Sequence, residues 1–139
     1  MIAISGLGTA NAADKTVVIS AFDTMKYSVN TIDAHPGEKI TVQLKNEGTL
    51  PKEAMGHNWI LLKAGEDPQA YANAALTAKG EGFQPASLAS KVITSIRLLG
   101  PKESGSVTFT APSAPGKYAY LCSFPAHCQV GMKGVLVVK

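Results

Sequence analysis

Cys122, His127 and Met132 stand in the spacing C-x4-H-x4-M near the end of a 139-residue chain. A thiolate, an imidazole and a thioether on one short segment suit a copper ion that must be stable as both Cu(I) and Cu(II). The sulfur donors favour Cu(I), and imidazole serves both states. A second imidazole has to come from elsewhere, and only His35 and His57 remain. His57 is preferred because it opens the apolar run HNWILLK, a strand whose end can reach an opposing loop. His35 precedes Pro36-Gly37, a turn signal at which a solvated histidine is the default. Three strong ligands, His57, Cys122 and His127, with Met132 weak and axial, fit a type 1 (blue) copper site. Zinc is the rival metal, but Cys/His zinc sites seldom use methionine.

Other chemistries fit less well. Cys122 and His127 as a nucleophile–base pair would need an orienting acid, none lies near, and Met132 would have no purpose. The second cysteine, Cys128, directly follows His127; a bridge to Cys122 would close a tiny loop and stabilise little. Cys128 is therefore expected as a free thiol at the rim of the site, in a monomer, with a Cys128-linked dimer as the alternative.

The elements that must position these donors are extended. Runs at Thr16–Ala21, Lys39–Lys45, His57–Lys63, Lys91–Leu98, Ser104–Thr110, Tyr118–Cys122 and Lys133–Lys139 read as strands separated by turn signals. Asp67–Lys79 differs: it is alanine-rich, has Asp67 as a candidate N-cap and Pro68 at the first helical position, and is followed by Gly80. It reads as one inserted helix of about three turns, with a loop over residues 81–90. Together these predict an all-β, Greek-key β-sandwich of about seven or eight strands. Tyr118 either pins a strand corner or is a packed strand aromatic. Trp59 is expected in the core.

Size and composition set the outer bounds. Hydrophobic residues make up 45% and charged residues 17%, as in an ordinary folded domain. The formal charge is +3 with lysines scattered and read as solvated, which gives no footprint for nucleic acid. No apolar stretch is long enough to span a bilayer. Residues 2–10 are apolar and small, and Ala10-Asn11-Ala12 fits an A-x-A cleavage pattern. Residues 1–12 thus read as the remnant of an export leader or an N-terminal arm, and 13–139 as a single domain.

The chain resembles the cupredoxins, and among them the azurins. The resemblance rests on Leu50-Pro51-Lys52, Met55-Gly56-His57-Asn58-Trp59, Ser106-Val107-Thr108-Phe109 and Cys122-Ser123-Phe124-Pro125 with His127 and Met132-Lys133-Gly134. It implies the cupredoxin sandwich and a single-electron carrier of the periplasm or the exported cell surface. It also implies His57, Cys122 and His127 as equatorial ligands, Met132 as the axial one, and the Gly56 carbonyl as a weak second axial group. Asn58 is implied to tie the two ligand loops together near the sulfur, with Ser123 and Phe124 beside it. Leu50, Met55, Pro125 and Ala126 are implied as an apolar docking patch around an exposed His127 edge, for a cytochrome or copper enzyme. Such transient interfaces are small, roughly under 1,200 Å².

Two departures accompany the resemblance. The H-x4-M spacing is one residue longer than in azurins and is like that of plastocyanin and auracyanin. The cysteines of the azurin disulfide are absent, so the metal-free fold is expected to be less stable. A copper chaperone or storage protein is the alternative function, since it too needs soft ligands.

Overall fold

The computed structural model describes residues 14–139, so the expected leader remnant lies outside the described residues. One sheet holds β1 (Asp14–Phe22), β2 (Lys26–Tyr27), β4 (Lys39–Asn46) and β7 (Ser104–Thr110), in the order β2-β1-β4-β7. The other holds β3 (Thr31–Ala34), β5 (His57–Leu62), β6 (Val92–Leu99), β8 (Gly116–Leu121) and β9 (Lys133–Val138), in the order β3-β9-β8-β5-β6. Both sheets are mixed. β1 runs parallel to β4, Asp14 opposite Lys39 through Ala21 opposite Asn46, and β3 runs parallel to β9; the other pairings are antiparallel.

The alternation in β4 explains its place: Ile40, Val42 and Leu44 are wholly buried, while the residues between them are not. With Ile19 and Ala21 they meet Trp59, Leu61, Tyr118, Tyr120 and Leu136 of the other sheet in the main core. β5 is buried on both faces, which is why its sequence is an unbroken apolar run. Trp59 and Leu61 join the main core; Ile60 and Leu62 turn the other way, with Leu121, against Tyr71, Ala72 and Ala75. Each such leucine or isoleucine contributes about 1.5–3 kcal/mol. The strand that begins with His57 is thereby firmly held.

The inserted helix, α2 (Pro68–Ala75), follows a short α1 (Lys52–Met55). The Asp67 carboxylate accepts the Gln69 N–H at 3.1 Å, so the N-cap expectation holds. The helix stops before Gly80. Its end tightens into i→i−3 bonds, Leu76 N–H to the Asn73 carbonyl and Ala78 N–H to the Ala75 carbonyl; a 3-10 turn at Lys79–Glu81 follows, and another at Ala86–Lys91 lies in the expected loop. The strand count also exceeds the expectation, because β2 and β3 are two and four residues long and too short to show a period. Tyr118 does both things proposed for it: it is buried, and its hydroxyl donates to the Ala114 carbonyl at 2.6 Å.

Candidate metal centre

His57 is the first residue of β5, opposite Leu99 of β6, with a register shift between His57 and Trp59. Such an irregularity re-aims side chains at a strand end. Gly56 precedes it, and a Cβ there would lie 2.8 Å from the Lys52 carbonyl oxygen and 3.0 Å from Leu98 Cγ. No side chain fits that approach. Cys122 directly follows β8 and Met132 directly precedes β9, antiparallel neighbours paired at Leu121 and Lys133. The Cys122 N–H donates to the Met132 carbonyl at 3.1 Å and closes the base of the loop. Within the loop, N–H groups of His127, Val130, Gly131 and Met132 donate to the carbonyls of Phe124, Ala126, Cys128 and His127 at 3.0–3.2 Å. Ala126 takes a φ of 73° to make that turn, a left-handed conformation that a non-glycine residue adopts at a cost.

The fold brings the donor atoms of His57, Cys122 and His127 within 4.8 Å of one another, all buried. The Cys122 sulfur is 3.4 Å from His127 Nδ1, and the two imidazole centroids are 5.0 Å apart. Ligands held about 2.0–2.3 Å from one ion at tetrahedral to trigonal angles stand about 3.5–3.7 Å apart. Both ring nitrogens of His57 are buried without a hydrogen-bond partner. Left so, each donor or acceptor costs about 1–3 kcal/mol. A metal ion between the three side chains partners one of these nitrogens, since each imidazole offers it one, and two imidazoles with a thiol are the donor set copper takes. The residues fit a single copper ion.

Burial sets the protonation of the metal-free site. Desolvation, reinforced by His57, holds His127 down at about 4. Burial also lowers His57, against the opposing pull of the Phe22 carbonyl and the Asp23 charge. Desolvation pushes the Cys122 thiol up to about 12, although the backbone N–H groups of Asn58 and Phe124 act the other way. The imidazoles are therefore neutral and ready to ligate, while the thiol keeps its proton until a cation displaces it.

Asn58, Ser123 and Phe124 lie around the donors. Asn58 Nδ2 donates to Ser123 Oγ at 2.9 Å, and Asn58 Oδ1 accepts the Ser123 N–H at 2.9 Å, so one side chain ties the His57 strand to the Cys122 loop. Ser123 Oγ donates onward to the Phe83 carbonyl at 2.6 Å. Phe124 lies on the His127 ring at 4.6 Å and packs edge-on to Phe83. Met132 is wholly buried in the main core beside this loop. His35 is elsewhere: its Nδ1 meets the Lys139 carbonyl at 3.1 Å.

Two expectations are corrected. Cys128 is not at the rim: it is 1% exposed and packs among Ile60, Leu62, Tyr71, Ala72, Ala75 and Leu121, out of reach of a second molecule. His127 shows no exposed edge, with 1% of its surface accessible. Of the residues meant to surround it, Leu50 and Ala126 are exposed, whereas Met55 and Pro125 are half-buried. Lys26 is exposed, as its reading as solvated requires, and its Nζ also donates to the Val130 carbonyl on the ligand loop at 2.6 Å. The β1–β2 turn was not foreseen at all. It places the Phe22 carbonyl and Asp23 on the His57 side, and Tyr27 donates to the Asn58 carbonyl at 2.5 Å.

Comparison with known proteins agrees with this geometry. The family described as copper binding proteins, plastocyanin/azurin family, matches residues 13–139. An azurin of Pseudomonas denitrificans is 36% identical over 130 residues, which cover 91% of this chain and 100% of the relative. Auracyanin-B of Chloroflexus aurantiacus is 32% identical over 127 residues, covering 91% of this chain and 52% of that longer protein. Among solved structures, reduced auracyanin of Roseiflexus castenholzii is similar with a TM-score of 0.77 and 36% identity, over 89% of this chain and 96% of that one.

Proposed function

The chain belongs to the plastocyanin/azurin family of copper-binding proteins, and from that premise we propose that it is a single-electron carrier whose copper is held by His57, Cys122 and His127. The observation that carries the reading is the buried group of three donors within 4.8 Å, one of them an imidazole with both nitrogens unpartnered. Met132 would supply a further, weaker donor, and the Gly56 carbonyl another.

When bound, copper supplies a centre that gains or loses one electron as Cu(I)/Cu(II). The chain's own part is to keep the donors in place through that change. His57 sits on a strand buried on both faces, and the Asn58–Ser123 pair fixes the loop start against it. The loop base is closed by the Cys122–Met132 backbone bond. Cys122 Sγ loses its proton on metal binding, so loading releases one proton and tightens as pH rises. Water is kept out, since all three donors are buried.

Electrons are proposed to pass through a small surface around Leu50, Met55, Pro125 and Ala126, with a redox protein as partner. Leu50 at 42% and Val130 at 44% exposure are the large apolar side chains that support such a surface near this end. Export to the periplasm or cell surface is part of the same reading. It rests on the A-x-A pattern at residues 10–12, and among the described residues no helix is long and apolar enough to cross a membrane.

Voltammetry of the copper-loaded chain tests the carrier role. A reversible one-electron wave, with copper retained in the presence of a mild chelator in both oxidation states, is expected. Loss of copper to the chelator would favour a chaperone or storage protein instead.

A further inference from the structure

The ligand loop is held very unevenly along its length. Its first residue after Cys122, Ser123, receives the side chain and accepts the grip of Asn58, and it bonds to Phe83. Beyond that point, Phe124–Gly131 bond among themselves, to Cys122, and to Met132 and Lys133 where the loop ends. Among the described residues, the hydrogen bond that reaches this stretch from outside the loop comes from Lys26, whose Nζ donates to the Val130 carbonyl at 2.6 Å. The Val130 side chain is exposed and gives the tip little apolar anchorage. The next residue, Gly131, has a φ of 108°, and a Cβ on it would stand 3.0 Å from Lys26 Nζ. The ammonium thus lies directly over the turn that leads into Met132.

Lys26 can act as a brace only if its own strand is fixed, and it is. β2 is just two residues long, paired with β1 at Phe22–Lys26 and Ala21–Tyr27. Tyr27, the residue beside Lys26, is buried, and its hydroxyl donates to the Asn58 carbonyl at 2.5 Å. Adjacent residues of one short strand therefore hold the two halves of the site: Tyr27 grips the His57 strand and Lys26 grips the tip of the loop. A charge-assisted bond to a carbonyl is stronger than a neutral one.

We propose that Lys26 is a positioning residue for the axial side of the site, fixing the Val130–Met132 turn relative to His57 through the β2 strand. This rests on the copper reading above for its effect on the metal, but the brace itself is independent of it. Removing the brace leaves the loop base closed and lets the tip move, so the Met132 side chain is held less closely. Arginine in place of Lys26 keeps both charge and donor; methionine keeps the length and loses both.

The experiment compares wild type, Lys26→Met and Lys26→Arg as full-length chains. Amide hydrogen exchange of the metal-free protein reads the brace, and the electronic and EPR spectra of the Cu(II) form read the axial side. Lys26→Met is expected to speed exchange at Gly131 and Met132 by about tenfold, the scale of one lost charge-assisted bond. It is also expected to change the ratio of the thiolate charge-transfer bands, and Lys26→Arg to restore both. Unchanged exchange and spectra in Lys26→Met would overturn the proposal, as would an altered spectrum that Lys26→Arg fails to restore. If wild type gives no thiolate charge-transfer band, the copper reading fails, while the exchange comparison still decides the brace.

Discussion

Cys122 and Cys128 share residue type, loop and burial, yet the fold gives them different work. Both are free and buried, and burial raises both thiols. Cys122 lies 3.4 Å from an imidazole nitrogen and beside a second imidazole. Cys128 faces aliphatic and aromatic side chains under α2. A raised thiol next to neutral imidazoles is a ligand awaiting a cation; the same thiol among leucines and alanines is a small core residue. Neighbours, not sequence position, separate them.

The comparison can be broken most directly at the first cysteine. Cys122→Ser removes the thiolate, and copper affinity is expected to fall on the order of a hundredfold or more, read by competition with a chelator. Next comes the tie that orients it. Asn58→Ala leaves the buried Ser123 N–H without its partner and Ser123 Oγ with the Phe83 carbonyl alone, and about 1–3 kcal/mol of stability is expected to be lost in denaturant unfolding.

Acid provides a third test. His127 and His57 are both held below the usual 6.5, His127 at about 4. The unfolded chain therefore takes up protons that the folded metal-free chain refuses. Metal-free stability should be full above about 6.5 and decline as pH falls toward 4, which thermal melts across that range would show. A flat profile would mean that the imidazoles are not desolvated. The smallest effect belongs to the second cysteine: Cys128→Ala should cost about 1 kcal/mol through its cavity, with the copper spectrum unchanged.

Much of the site was legible because its donors are rare residue types. C-x4-H-x4-M needs no structure to suggest a soft metal, and HNWILLK announced an apolar strand opened by His57, which the fold buries on both faces. The helix start was legible in Asp67-Pro68, since capping is local. Its end was not, because tertiary packing closed it in i→i−3 bonds before the glycine that usually marks a stop. Cys128 was misplaced for a similar reason. Adjacency to a ligand suggested the rim, but the turn at Ala126, with its positive φ, sends this side chain under α2. β2 was invisible, as two residues carry no period, and what holds it is long-range: Lys26 to Val130 and Tyr27 to Asn58.

The central claim is that one buried thiol of the two is a copper ligand. Equimolar Cu(II) added to the metal-free wild type, Cys122→Ser and Cys128→Ala proteins tests it in a single spectrum each. An intense blue or green thiolate charge-transfer band in wild type and Cys128→Ala, and its absence in Cys122→Ser, is the predicted result. A colourless wild type, or a band that survives Cys122→Ser and vanishes in Cys128→Ala, would contradict it.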